Sequence, residues 1–114
     1  MKQYLFLLFL VCAAPGALAQ DCSKITFAPG ASSGEISGRV TEEKPMCFTF
    51  ASGEGQVARL QLSESNNICF TVYDVVDCQD DFSFRTQNRD YTVLIAPFVR
   101  IPDFEEFTLR LTIK

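Results

Sequence analysis

Histidine and tryptophan are both absent from this 114-residue chain. Without histidine the chain lacks the commonest general base, the usual partner of Ser and Cys nucleophiles, and the commonest nitrogen ligand for zinc. GxSxG elbows, P-loops and HExxH motifs are missing as well. A carboxylate pair can hydrolyse a glycoside, but nothing singles out two acids facing one cleft. Helical periodicity is almost absent, and there is no internal repeat, linker or low-complexity stretch. The expectation is one domain that is not an enzyme and needs no cofactor.

The first residues predict export. Lys2 supplies a positive n-region, Tyr4 to Cys12 form a short apolar h-region, and Ala17-Leu18-Ala19 fits signal-peptidase cleavage after Ala19. The apolar run falls short of the ~20 residues a spanning helix needs, and no second such run follows. Cys12 follows Leu10 and Val11 rather than a small residue, which argues against lipidation. Residues 1–19 read as a signal peptide and 20–114 as a single domain of 95 residues. Cleavage removes one of ten cations and none of fourteen acids, so the net charge becomes 9 − 14 = −5. Such acidity argues against nucleic acid and anionic membrane as partners, and fits either a basic protein partner or simple solubility in the periplasm or outside the cell.

Four cysteines remain after cleavage: Cys22, Cys47, Cys69 and Cys78. An even count in a short secreted domain predicts two disulfides. A four-thiolate metal site wants close CxxC pairs, and none is present, so no metal site is expected. Cys69 and Cys78 flank one predicted bend and form the natural pair, leaving Cys22 with Cys47.

Period-two alternation dominates the rest. Strands are predicted over Lys24–Phe27, Glu35–Thr41, Met46–Ala51, Gln56–Ser63, Ile68–Tyr73, Phe82–Arg85, Tyr91–Ala96 and Phe107–Ile113, separated by Gly, Pro and Asn clusters. Eight short strands at roughly ten-residue spacing predict an all-β antiparallel sandwich of jelly-roll type. Asp74, Asp77, Asp80 and Asp81 form the one carboxylate cluster. It lacks EF-hand spacing and its central Gly, and reads as a solvated acidic loop beside a disulfide rather than a calcium site.

The most unusual segment is Pro97-Phe98-Val99-Arg100-Ile101-Pro102-Asp103. As a hairpin loop between the last two strands it should be polar and rich in Gly or Asn. Instead Phe98, Val99 and Ile101 surround Arg100, the composition of an interface hot spot, and two prolines limit the entropy lost on binding. Two readings stand side by side: a binding loop, or a plug in which Phe98 and Ile101 tuck under the sandwich.

Ile25-x-Phe27-x-Pro29-Gly30, Ser37-Gly38, Phe48-Thr49-Phe50-Ala51, Gly55-Gln56, Asp90-Tyr91-Thr92-Val93 and Phe107-Thr108-Leu109-x-Leu111 occur in an order that resembles the bacterial pre-peptidase C-terminal-type domain, over about residues 24 to 114. The resemblance implies a β-sandwich without catalytic machinery. Among small stand-alone secreted members, Ser37-Gly38, Phe48-Thr49-Phe50 and Gly55-Gln56 look like the periplasmic inhibitors of goose-type lysozyme. That likeness implies a basic lysozyme as partner, inhibition by end loops inserted in its cleft, Arg100 meeting a catalytic carboxylate, and a role for Ser37. Read from the residues alone, Ser37-Gly38 equally marks a bulge or a close approach within a strand. A different class stays open beside inhibition: a carbohydrate- or matrix-binding module, for which Tyr73 and Phe98 are the obvious aromatic candidates. A structural domain of a cell-envelope assembly is the third.

Overall fold

Alternating side chains along short segments can bury one face each only by packing two sheets together, and the chain does so. The computed structural model describes residues 22–63 and 66–114. The predicted leader and its cleavage point lie outside the described residues. The described residues form nine strands: β1 (Ser23–Lys24), β2 (Ser33–Val40), β3 (Met46–Ser52), β4 (Val57–Ser63), β5 (Ile68–Val72), β6 (Val76–Gln79), β7 (Asp81–Arg85), β8 (Arg89–Pro97) and β9 (Glu105–Ile113). One sheet has the order β1-β3-β8-β5-β6 and the other β2-β9-β4-β7. All pairings are antiparallel except β1 with β3.

The inward positions are those the alternation marks. Phe48, Phe50, Phe70, Val72, Tyr91, Val93 and Ile95 from the first sheet meet Val40, Ala58, Leu60, Phe107, Leu109 and Leu111 from the second. Aromatic rings bridge the sheets, Phe48 edge-on to Phe107 at 6.4 Å and Tyr91 edge-on to Phe84 at 5.1 Å. Each fully buried side chain of this size contributes roughly 1.5–3 kcal/mol. The disulfides are Cys22–Cys47 and Cys69–Cys78, the pairing expected from the sequence. Closing loops of 25 and 9 residues, they restrict the unfolded chain by about 3.5 and 2.6 kcal/mol on chain-entropy grounds.

Two expectations are corrected. The segment read as one acidic loop contains β6, paired with β5 through an irregular register and with Cys78 at φ 41°. Its residues do not alternate in burial, because a two-sided edge strand after a bulge has no core face to declare. The Ser37-Gly38 step is no bulge, since β2 and β9 stay in register from Ser33↔Thr112 to Val40↔Glu105. It is a close approach: a Cβ on Gly38 would lie 2.8 Å from Met46 Sδ and 3.2 Å from Phe107.

The chain changes sheets at almost every connection; among the described residues only β5 and β6 are joined as a hairpin. The connections gather at two ends. At the Tyr91 end lie the β3–β4 and β7–β8 loops, and at the Phe98 end the β2–β3, β4–β5 and β8–β9 connections.

Candidate functional site

Residues 98–104 leave β8 in one sheet and enter β9 in the other. They form an arch across the end of the sandwich, and the expectation of a hairpin loop is thereby corrected. Packed sheets stand about 10 Å apart, so an arch must fill the gap it spans, which a polar hairpin turn need not do.

Ile101 fills it. The side chain is buried, and its backbone N–H donates to Glu42 Oε2 at 2.7 Å. The arch is tied a second time where the Phe98 N–H donates to the Asn67 carbonyl at 3.1 Å. Whereas Ile101 is buried, Phe98, Val99 and Arg100 stand outside, the first two 55% and 45% exposed. Of the two residues the plug reading would bury, Ile101 is buried and Phe98 is exposed.

Phe98 forms a ridge between two hollows. One of about 460 Å³ runs along Glu42, Ala96, Pro97, Val99 and Arg100. The other, about 350 Å³, is bounded by Asn66, Ile68, Gln79, Asp80 and the Cys69–Cys78 disulfide. A third, beyond Ile101, is lined by Thr41, Glu42, Glu43, Pro102 and Asp103. Among the described residues Arg100 joins no ion pair, in contrast to Arg39, Arg59, Arg89 and Arg110. A free guanidinium between apolar side chains, with acids set back around it, can insert into a cleft and pair with a carboxylate there.

Ser37 is not part of this arrangement. It lies on the outer face of β2, three residues before that strand ends, with its Oγ 3.0 Å from Thr108 Oγ1. Reading the sequence also missed Phe104, which is 42% exposed beneath the Arg39 guanidinium at 4.5 Å, with Glu106 3.4 Å from Arg39. The signal was present: Phe104 is out of phase with Phe107, Leu109 and Leu111 and so falls on the outer face.

The four aspartates do not converge. Asp74 sits in the β5–β6 turn at φ 69° and pairs with Arg89 at 3.6 Å, Asp77 is on β6, Asp80 lies at the crossing to β7, and Asp81 is held by Arg59 in two bonds of 2.9 and 3.1 Å. The hydrogen bond to Arg59 lowers the Asp81 carboxyl below its ordinary 3.8, and the same bond raises Arg59. Among the described residues no group of three metal-binding side chains comes together. Tyr73, the other aromatic weighed for sugar binding, is exposed near the Tyr91 end, so it and Phe98 make no common platform.

No protein-family model matches the chain, and no curated protein matches its sequence; the resemblance to pre-peptidase C-terminal-type domains has no support from a family model. Solved structures do match. The periplasmic inhibitor of g-type lysozyme from Aeromonas hydrophila superposes with a TM-score of 0.70 at 17% identity, over 82% of this chain and 96% of that one. The Salmonella Typhimurium inhibitor of g-type lysozyme gives 0.68 at 12%, over 84% and 100%. A mutant of the Escherichia coli inhibitor gives 0.66 at 15%, again over 84% and 100%. At these identities the likeness establishes a shared fold.

Proposed function

We propose that the chain is an exported, non-catalytic inhibitor of g-type lysozyme, which lodges the Phe98–Arg100 arch in the substrate cleft of the enzyme. The observation that carries the reading is the arch itself: two exposed apolar side chains and an unpaired arginine, braced from beneath by Ile101 and Glu42. A braced loop loses little conformational entropy on docking. Burying Phe98 and Val99 in a cleft would supply roughly 1.5–3 kcal/mol each. Arg100 would meet a catalytic carboxylate. The acidic surface would steer the domain toward a basic enzyme.

The match of the whole sandwich to three g-type lysozyme inhibitors supports the same reading, as does a histidine-free sequence for the absence of catalysis. Kinship with pre-peptidase C-terminal-type domains belongs to this proposal, as does residence in the periplasm after cleavage behind Ala19.

The test is a lysis assay. Purified protein is titrated into goose-, chicken- and invertebrate-type lysozymes acting on a peptidoglycan suspension. The goose-type enzyme should be inhibited at micromolar protein or below. Undiminished lysis by all three at that concentration refutes the proposal.

A further inference from the structure

An edge strand normally carries a device that stops it from pairing with another chain: shortness, a bulge, a proline or charged side chains. Three of the four edges here are short. β1 is two residues long, β6 is four with a register shift, and β7 is five and follows directly on the crossing at Asp80. The fourth edge, β2, is eight residues long and contains neither proline nor register shift; it carries Glu35 and Arg39, charges of opposite sign that a second copy can match.

The direction of its free backbone groups follows from the pairing. The Ile113 N–H donates to the Ser32 carbonyl at 2.8 Å, so the even-numbered residues of β2 bond to β9. Ser33, Glu35, Ser37 and Arg39 therefore turn their N–H and C=O groups away from the sheet. Glu35 and Arg39 also stand on its outer face, Glu35 2.7 Å from Arg110 and Arg39 3.4 Å from Glu106.

We infer that β2 is a homodimer edge, on which a second copy pairs antiparallel about a two-fold axis through Ser37. In that register Ser37 faces its counterpart, and each Glu35 lies opposite the Arg39 of the other copy. Gly38 faces Ile36 of the other copy on the inner side, where Met46 and Phe107 already pack against the glycine. Pairing centred on Glu35 or on Arg39 would instead set like charges directly opposite, which is unfavourable. The two four-stranded sheets would join into one of eight strands, held by main-chain bonds at residues 35, 37 and 39. The outward charges continue into the Arg110 and Glu106 pairs already present. This assigns to Ser37 the centre of a contact that the Phe98 arch does not reach.

Sedimentation equilibrium of the exported chain, from micromolar to near-millimolar concentration, tests the inference. The wild type should be in monomer–dimer equilibrium. Ser37→Pro removes an N–H that points out of the edge and makes no bond within the sheet, so it should fold and sediment as a monomer. Glu35→Arg and Arg39→Glu should each place like charges opposite and raise the dissociation constant about tenfold. An equimolar mixture of those two variants restores both opposite-charge pairs and should recover the wild-type constant. The inference is overturned if the wild type is monomeric throughout, if Ser37→Pro folds and dimerises unchanged, or if the mixture associates no better than its components.

Discussion

At the Tyr91 end the polar groups turn inward and bind the loops to one another, whereas at the Phe98 end apolar side chains are held outward over a single plug. Thr86, one of the most buried side chains, donates its hydroxyl to the Gly53 carbonyl at 2.7 Å, while its N–H donates to Gln56 O at 2.7 Å and its carbonyl accepts from Gly55 N–H at 2.8 Å. Gln56 Oε1 accepts from Gly53 N–H at 2.7 Å, and Tyr91 Oη accepts from Gln87 N–H at 3.0 Å. The Phe98 end is tied as well, Ile101 N–H donating to Glu42, Phe98 N–H to the Asn67 carbonyl and Asn67 Nδ2 to the Glu105 carboxylate at 3.1 Å, but its exposed residues are apolar. The contrast separates two uses of a connection between sheets. One closes the core, and the other presents a surface.

The largest change should come from Ile101→Ala, which removes the plug. By analogy with other buried aliphatic truncations it should cost about 3 kcal/mol in urea unfolding, and inhibition should fall with it because the arch loses its brace. Phe98→Ala and Arg100→Ala should separate the two properties. Stability should stay within about 0.5 kcal/mol of wild type, while lysozyme inhibition weakens by about 2 kcal/mol per residue, near thirtyfold. If Phe98→Ala unfolds the domain and Arg100→Ala inhibits normally, the arch is structural and the contrast between the ends disappears.

Thr86→Val addresses the opposite end, keeping the shape while deleting the donor to Gly53 O. It should lower stability by about 1–2 kcal/mol and leave inhibition per folded molecule unchanged. The smallest effect lies on the sheet between the ends. The Asp81 carboxyl is lowered by Arg59, so its contribution is complete above the ordinary carboxylate range and is lost as pH falls through the lowered value. Asp81→Asn should therefore flatten the acid limb of the stability profile slightly, as read from urea midpoints between pH 5 and pH 3.

Most of the sandwich could be read from the sequence, because a strand with one buried face has to alternate. Ile68, Phe70 and Val72 or Phe107, Leu109 and Leu111 admit no other register. β6 could not, since Val76-Asp77-Cys78-Gln79 has no buried face and is held by a neighbouring strand and a disulfide. Adjacency in sequence also says nothing about which sheet a strand joins, so the β8–β9 arch passed for a hairpin and the burial of Ile101 stayed one of two open readings. Phe98, Val99 and Arg100 were legible through their composition. Glu42 was not, because its role depends on an amide 59 positions away, and nothing local records that.

The sheet-switching path has a consequence for how the protein reaches its folded state. β9 lies between β2 and β4, and Ser37 meets Thr108 across 71 positions. Neither neighbour can complete its ladder until the C-terminal strand is at hand. Pairings this distant in sequence are slow to find, in the millisecond-to-second range for sandwiches of this kind. Before β9 arrives the chain must therefore pass through an interval in which the Phe-rich strands are exposed and unpaired, and of the two disulfides Cys69–Cys78, closing nine residues, is the one that can form locally. The rate at which an oxidant forms that first disulfide should set how much of the chain escapes aggregation.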